Sequence, residues 1–475
     1  MKKGFVLSII ICLALVFIPL TGCSGSGSQG QVSGDESAGT QQPAQQSAPP
    51  EVADENITET LPEAVGAAED PVSDKPDQAQ GEPSDDPEEM PEEVTAETGA
   101  EESEGSGVSE ESADSLADVD GNDISEETVI SHELSYSDDI DTIIASMTLH
   151  EKICQMIIVT PSVLTGQSKV TSADTMFLAL QNYPVGGMIM DKSNIVSGPQ
   201  LSGMISQAQS YMTIPMIMTL DEEGGRVTRL MSTIGTTQIG PMYSYHELGT
   251  EVAAFNAMTI GNDIRRYGFN MDLAPVADVW SNPANTVIGD RAYSTDFDEA
   301  ATLVSAAVSG FHMSGVACCI KHFPGHGDTS ADSHYGSVYV YKTLDEIRAD
   351  EFKPFISGIG AGADAVMVGH LIVADQGNVP ALFSYPLLTG VLRNELGFNG
   401  VIMSDSLQMK AMTDYYGAGD IPVMAVAAGC DVLLMPTDLE ITVSSLEAAV
   451  ENGVISEERI DQSVRRILIL KKKYI

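Results

Sequence analysis

One short loop, "KHFPGHGDTSADSH" at residues 321–334, concentrates titratable side chains among glycines. Asp332 and His334 are two residues apart, so an extended backbone would point both side chains to the same side. A carboxylate that accepts from one imidazole nitrogen fixes the tautomer and raises the basicity of the ring. The other nitrogen can then exchange a proton with a substrate. The spacing therefore predicts an acid/base pair in which Asp332 orients His334.

Metal binding is an alternative use of this loop, because His322 and His326 have the i, i+4 spacing of zinc ligands on a helix. Pro324 and Gly325 lie between them, however, and a regular helix does not accommodate that pair. The glycines also suggest a phosphate cradle, but the G-x-x-x-x-G-K-[ST] pattern is absent from the sequence. We therefore predict neither a metal nor a cofactor.

Asp405 is the second candidate for chemistry, in "VIMSDSLQM". A carboxylate directly after an apolar strand is costly to bury without partners, which favours a functional role. With Asp405 as nucleophile and His334 as acid/base, the pair would perform retaining glycoside hydrolysis in which a histidine replaces one carboxylate. His334 would protonate the leaving oxygen and then deprotonate water.

The elements that must position these residues are short apolar runs separated by segments with helical patterning. Continuous apolar strands that alternate with helices predict a parallel sheet covered on both faces, and eight units suggest a (β/α)8 TIM barrel. A doubly wound sheet is the alternative. The helix that opens the domain has Thr148 and Glu151 in capping-box spacing. The eight predicted strands are "QMIIVT", "VGGMIM", "PMIMTL", "FNMDLAPVADV", "GVACCIKHF", "ADAVMVGH", "NGVIMSD" and "CDVLLMP".

Charged residues follow several of these strands, in "DEEGGRVTR", "VIGDRAYS" and "SDSLQM" as well as in the loop at 321–334. Barrel enzymes gather their chemistry at the carboxyl ends of the strands. The barrel interpretation therefore predicts that these segments meet at one site.

The N-terminus predicts export. Residues 1–22 have the pattern of a lipoprotein signal peptide. Cys23 would then carry lipid and tether the chain to a membrane outside the cytoplasm. An uncleaved anchor helix is the alternative. Residues 23–135 follow as an acidic linker: between residues 24 and 130 there are 30 Asp or Glu and a single lysine, Lys75. Such a segment is expected to be disordered.

The acidic linker carries most of the net charge of −46, which argues against a nucleic-acid partner. Residues 136–475 are enough for a single catalytic domain, which we expect to be a monomer. Its four cysteines all lie in apolar runs and are expected to be buried and unpaired. The single tryptophan, Trp280, could belong either to the core or to a sugar subsite.

The segments "DEEGGRV", "APVADV", "GDRAYS", "KHFPGHGDTSADSH", "SDSLQMKAM", "AGCDVLLMP" and "RIDQSVRRIL" occur in this order. Together they resemble glycoside hydrolase family 3, in particular its β-N-acetylglucosaminidase branch, across essentially all of residues 136–475. The resemblance implies a TIM-barrel enzyme that removes non-reducing-end N-acetylglucosamine from peptidoglycan fragments or related β-hexosaminides. It implies Asp405 as nucleophile, His334 as acid/base and Asp332 as its partner. It further implies sugar contacts from Asp221, Arg229, Arg291, Lys321 and His322.

Other activities stay open at this point. A histidine acid/base is neutral once deprotonated and would not repel phosphate, so a phosphorylase is one alternative. A β-glucosidase of the same family is a second. A non-catalytic sugar-binding lipoprotein is the alternative from another class, although it would not need Asp405 or His334.

Overall fold

The computed structural model describes residue 136, residues 138–330 and residues 336–475. Within them, eight parallel strands form one sheet in the order β10-β1-β2-β3-β4-β5-β7-β9. A bridge between Met403 and Val432 joins β9 to β10, so the sheet closes on itself. The strands are β1 (Ile157–Val159), β2 (Gly187–Ile189), β3 (Ile217–Leu220), β4 (Met271–Asp272), β5 (Ala317–Phe323), β6 (Val338–Val340), β7 (Ala365–Val368), β8 (Leu371–Val373), β9 (Val401–Ser404) and β10 (Leu433–Leu434).

Each of the eight barrel strands falls inside one of the eight apolar runs identified in the sequence, so the (β/α)8 prediction is confirmed. Every residue of these strands is buried, as expected for strands covered on both faces. β4 is much shorter than the run that predicted it. Pro275 follows closely and has no N–H to donate to a ladder, and the chain beyond it meets β5 only at an isolated bridge between Val276 and Lys321.

Helices cover the barrel. The capping box predicted for α2 is present, because the Thr148 and Glu151 side chains each accept a hydrogen bond from the other residue's backbone N–H. The helices are α1 (Ile140–Ser146), α2 (Leu149–Gln155), α3 (Pro161–Thr165), α4 (Phe177–Asn182), α5 (Gly198–Ser210), α6 (Leu230–Ile234), α7 (Thr250–Arg265), α8 (Phe297–Ser314), α9 (Leu344–Ala349), α10 (Phe352–Gly360), α11 (Lys410–Thr413), α12 (Asp420–Ala428), α13 (Leu439–Glu451) and α14 (Glu457–Tyr474), with a π-helix at Pro386–Glu395.

A buried charge cluster ties α14 to the amino-terminal ends of the strands. Asp431, just before β10, is fully buried and accepts hydrogen bonds from Arg393, Arg459 and Arg466. It also accepts from the backbone N–H of Ile402 in β9. The motifs "AGCDVLLMP" and "RIDQSVRRIL" therefore meet here, at the opposite end of the barrel from the charged strand ends.

A small second sheet was not predicted from the sequence. β6 and β8 pair in parallel, with Val338 opposite Leu371 and Val340 opposite Val373. Cys154, Cys318, Cys319 and Cys430 are buried and unpaired, as expected. Among the residues that the structure describes, none of the helices combines the length and apolar character needed to span a bilayer.

Candidate functional site

A cavity of about 580 Å³ opens at the carboxyl ends of the barrel strands. It brings together six residues that the sequence analysis selected, which are Asp221, Arg229, Arg291, Lys321, His322 and Asp405. They come from the ends of β3, β5 and β9 and from the loops that follow β3 and β4. Polar groups from several strand ends thus converge at one face of the barrel, as expected for the carboxyl ends of barrel strands.

Glu223 is the centre of the charge network on the cavity wall. Its carboxylate accepts two hydrogen bonds from Arg291, both at 2.8 Å. It also forms an ion pair with the Lys321 Nζ at 2.7 Å. Burial alone would raise the pKa of Glu223, but Arg291 and Lys321 outweigh burial and hold that pKa well below its ordinary value. The carboxylate is therefore ionised, and it fixes both cations.

Asp221 extends the network toward the open cavity. One of its oxygens accepts from the Lys321 Nζ at 2.9 Å and the other from Arg229 at 2.9 Å. Its side chain is 20% exposed, whereas that of Lys321 is only 2% exposed. Asp221 and Arg229 can therefore reach hydroxyl groups of a ligand, while Lys321 is held from behind by two carboxylates.

The turn after β3 explains how Glu223 reaches Arg291. Gly224 and Gly225 both have positive φ, at 91° and 56°. A Cβ on Gly225 would lie 2.7 Å from Pro241, so the turn needs a residue without a side chain. Glu222 stabilises the same turn, because its carboxylate accepts hydrogen bonds from the backbone N–H groups of Arg229, Leu230 and Met231 at the start of α6.

Asp278 positions the histidines. It is almost fully buried, and it bonds the His322 Nδ1 at 2.6 Å and the His326 backbone N–H at 2.7 Å. Burial would raise the pKa of Asp278, but the two histidines outweigh that effect and lower the pKa. The His326 ring bonds Thr329 through Nδ1 at 2.7 Å. Both rings thus have protein partners, and both side chains line the cavity.

Asp405 follows β9 directly, and its backbone N–H donates to Val368 of β7. The Ser406 N–H donates to its Oδ1 at 2.7 Å. Burial acts to raise the pKa of Asp405. The positive fields of His322 and His370, together with the bond from Ser406, outweigh burial and lower the pKa. Asp405 is therefore a carboxylate at neutral pH, partly exposed to the cavity.

His334, Asp332 and Cys23 lie outside the described residues, so their predicted roles stay predictions. The described part of the loop is well anchored. Gly327 packs so closely that a Cβ would lie 1.6 Å from the Val279 carbonyl oxygen. The Asn285 side chain also donates to the His326 carbonyl oxygen at 2.7 Å.

The structure contains a possible set of metal ligands elsewhere. Among the described residues, only His312, Cys318 and Asp364 bring three ligand atoms within 4.8 Å of one another, near the amino-terminal ends of β5 and β7. Asp364 already accepts hydrogen bonds from His312, Lys473 and Tyr474. Burial raises the pKa of the Cys318 thiol well above its ordinary value, which disfavours the thiolate that a metal needs. This cluster is better described as a structural hydrogen-bond network.

Three residues important to the site were not selected from the sequence. Glu223 binds Arg291, Asp278 binds His322, and the His370 Nε2 donates a hydrogen bond to the Ser406 carbonyl oxygen at 2.8 Å. The segment "DEEGGRV" contained Glu223 after a predicted strand, whereas "APVADV" contained Asp278 inside the predicted fourth strand. Trp280 packs edge-on against Tyr243 at 5.4 Å.

Comparison with known proteins agrees with this geometry. Residues 148–470 match the family described as "Glycosyl hydrolase family 3 N terminal domain". The chain is similar to a β-hexosaminidase of Stenotrophomonas maltophilia, with 36% identity over 264 residues, which cover 54% of this chain and 77% of the relative. It is also similar to β-hexosaminidase A of Pseudoalteromonas piscicida, with 32% identity over 324 residues that cover 62% of this chain.

A solved structure shows the same architecture. The glycoside hydrolase family 3 β-N-acetylglucosaminidase of a Paenibacillus species superposes with a TM-score of 0.65 and 36% identity, covering 69% of this chain. The present chain spans 54% of the Pseudoalteromonas relative and 63% of the Paenibacillus structure. Because the family model matches most of the chain, and the barrel and its strand-end cavity agree with it, the chain belongs to glycosyl hydrolase family 3.

Proposed function

We propose that this protein is a retaining β-N-acetylhexosaminidase that releases terminal N-acetylglucosamine from peptidoglycan fragments or related β-hexosaminides. The observation that carries the proposal is the position of Asp405: an ionised carboxylate at the end of β9, facing a cavity walled by the network around Glu223. The names of the relatives, β-hexosaminidase and β-N-acetylglucosaminidase, support the choice of sugar.

In the first step, Asp405 attacks the anomeric carbon and the bond to the leaving oxygen breaks. The Ser406 N–H holds Oδ1, and no hydrogen bond to Oδ2 is seen within the part of the chain that the structure describes. Oδ2 is therefore the oxygen that forms the glycosyl ester. His334, oriented by Asp332, donates the proton that the leaving oxygen needs.

In the second step, His334 removes a proton from water, the hydroxide oxygen bonds to the anomeric carbon, and the ester bond to Asp405 breaks. The oxocarbenium-like transition states carry positive charge on the sugar, which the carboxylate of Asp405 stabilises at close range. Asp221 can accept from sugar hydroxyls, while Arg229 and His322 can donate to hydroxyl or acetamido oxygens.

The test uses 4-nitrophenyl N-acetyl-β-glucosaminide in phosphate-free buffer and again with added phosphate. Wild type should turn over without phosphate, Asp405→Asn should be inactive, and His334→Ala should be slower than wild type because no histidine removes the proton from water in the second step. A product of sugar 1-phosphate, formed only with phosphate, would make the protein a phosphorylase. Binding of the sugar without any turnover would contradict the enzymatic proposal.

The proposal includes a location. The signal-like residues 1–22 and Cys23 support export followed by lipid attachment outside the cytoplasm. Cys23→Ala should move the protein from the membrane fraction to the soluble fraction after cell lysis. Unchanged membrane association of Cys23→Ala would contradict the lipid anchor.

A further inference from the structure

An exposed aromatic pair lies on the small sheet formed by β6 and β8. Val338 and Val340 of β6 are buried, so Tyr339 and Tyr341 share the opposite, outward side of the chain. Tyr341 is 81% exposed and Tyr339 is 38% exposed. Their rings are nearly parallel, with centroids 6.2 Å apart and planes 20° apart. The two rings together form an exposed stacked pair, which we call the tyrosine platform.

Tyr339, the less exposed ring of the tyrosine platform, is held in place. The Tyr339 hydroxyl donates to the Asn378 side chain at 3.2 Å. Tyr416 is near enough to Tyr339 to feel its charge, because burial and the neighbouring Tyr339 both raise the pKa of Tyr416. Tyr416 packs edge-on against Phe383 with ring centroids 4.9 Å apart. Because these contacts fix the orientation of Tyr339, less ordering entropy would be lost when a ligand binds.

Contacts along the chain connect the tyrosine platform to the rim of the cavity. The Tyr416 backbone N–H donates to Met412 in α11, and α11 begins at Lys410, which lines the cavity. β8 begins one residue after His370, whose ring bonds the Ser406 carbonyl oxygen beside Asp405. The elements that neighbour the tyrosine platform thus also carry Lys410, at the cavity, and His370, next to the residue that follows the nucleophile.

The size and chemistry of the tyrosine platform favour a sugar as its occupant. Aromatic side chains bury about 150–250 Å² each, so two rings offer far less than the roughly 1,000 Å² of a stable protein interface. The C–H groups on one face of a β-linked pyranose are apolar and can stack on an aromatic ring. A neutral glycan is also not repelled by a chain with a net charge of −46, whereas a nucleic acid would be.

We propose that Tyr339 and Tyr341 bind the sugar units of a β-linked glycan that remain outside the cavity, on the leaving-group side of the bond that is cleaved. The inference rests on the proposed function, since it requires a terminal sugar in the cavity. It makes the protein selective for chains over disaccharides, through KM rather than kcat.

The experiment compares kcat/KM for chitobiose, chitopentaose and 4-nitrophenyl N-acetyl-β-glucosaminide. Wild type should prefer the pentamer to the dimer. Tyr341→Ala should lower that preference by about threefold to tenfold, the effect of losing one aromatic contact, mainly by raising KM for the pentamer. Tyr341→Phe should keep the preference, because it keeps the ring. Phe255→Ala, which removes a 59% exposed ring on α7, is the matched control and should change nothing.

The inference is overturned if wild type shows no preference for the pentamer, or if Tyr341→Ala retains it. It is also overturned if Tyr341→Ala loses activity equally on all three substrates, since that would indicate a structural role. If wild type cleaves none of them, the proposed function fails first. Calorimetric titration of wild type and Tyr341→Ala with chitopentaose then tests separately whether the tyrosine platform binds the glycan. Equal affinities of the two proteins would refute that binding.

Discussion

Replacing Glu223 by glutamine tests the buried charge network directly. The substitution keeps the shape of the side chain but removes the charge that faces Arg291 and Lys321, whose side chains are 12% and 2% exposed. Lys321 would keep Asp221 as a partner at 2.9 Å. Arg291 would lose its carboxylate partner and keep two neutral acceptors, the glutamine amide oxygen and the Val287 carbonyl oxygen at 3.1 Å. The cost is therefore mainly that of leaving Arg291 buried without a carboxylate partner.

Breaking a buried ion pair by removing one partner costs about 3–5 kcal/mol. That is a large part of the free energy of unfolding of a typical domain, about 5–15 kcal/mol. We therefore expect Glu223→Gln to lower the free energy of unfolding by about 3 kcal/mol or more, measured by guanidinium denaturation at pH 7. kcat/KM should fall as well, because Lys321 and Arg291 would no longer be fixed beside the cavity.

The pH dependence gives a second readout. The pKa of Glu223 is depressed in the folded state, so its stabilising effect is fully present above its ordinary value of 4.5. The effect decreases progressively as the pH falls below that value and is lost once the pH has passed the depressed folded value. The difference in unfolding free energy between wild type and Glu223→Gln should thus be constant between about pH 6 and 8 and shrink below about pH 4.5.

The matched control is Asp290→Asn. It breaks the Arg226–Asp290 pair, whose side chains are 48% and 46% exposed, and it should cost less than about 1 kcal/mol. If Glu223→Gln is no more destabilising than Asp290→Asn, the buried network does not stabilise the fold in the way argued.

Burial lowers the pKa of Lys471 from 10.5 to about 7, and Gln155 is the only described residue that bonds its Nζ, at 2.6 Å. Because the unfolded lysine binds its proton more tightly, the free energy of unfolding of wild type should rise between about pH 7 and 10. Lys471→Met should be about 1–3 kcal/mol more stable than wild type at pH 7 and should lack that rise. A denaturation experiment in which Lys471→Met is less stable than wild type would contradict this prediction. Asp278→Asn should lower kcat/KM by about tenfold to a hundredfold, because His322 would no longer be held in place. If the variant has the same activity and the same pH–rate profile as wild type, Asp278 does not position His322 for the reaction. Asp431→Asn should cost about 3–5 kcal/mol in unfolding free energy with KM unchanged at 25 °C, and a changed KM would show that the arginine cluster also affects the cavity.

The barrel could be predicted because buried parallel strands are continuous apolar runs that alternate with helices, a pattern visible in one dimension. The positions of Asp221, Arg291, Lys321 and Asp405 also followed from the sequence. Each comes at or soon after the end of such a run, and the carboxyl ends of barrel strands all meet at one face. The length of β4 was overestimated, since apolar composition does not show where a proline ends the pairing.

Pairing between side chains was decided only by the tertiary structure. Asp278 and His322 are 44 residues apart, and Glu223 and Arg291 are 68 residues apart. Which carboxylate meets which cation depends on strand order and on the direction of each turn, such as the left-handed turn at Gly224 and Gly225. Sequence spacing carries no such information.

The sequence by itself thus determined the class of fold, the face on which the chemistry lies and the candidate nucleophile. The tertiary structure decided that Glu223 and Asp278, rather than a ligand, hold Lys321, Arg291 and His322 in place. It also decided that the rings of Tyr339 and Tyr341 form a stacked pair exposed to solvent. The physical reason is that apolar periodicity is a local property of the chain, whereas the partners of a charge or an aromatic ring are set by distances in space.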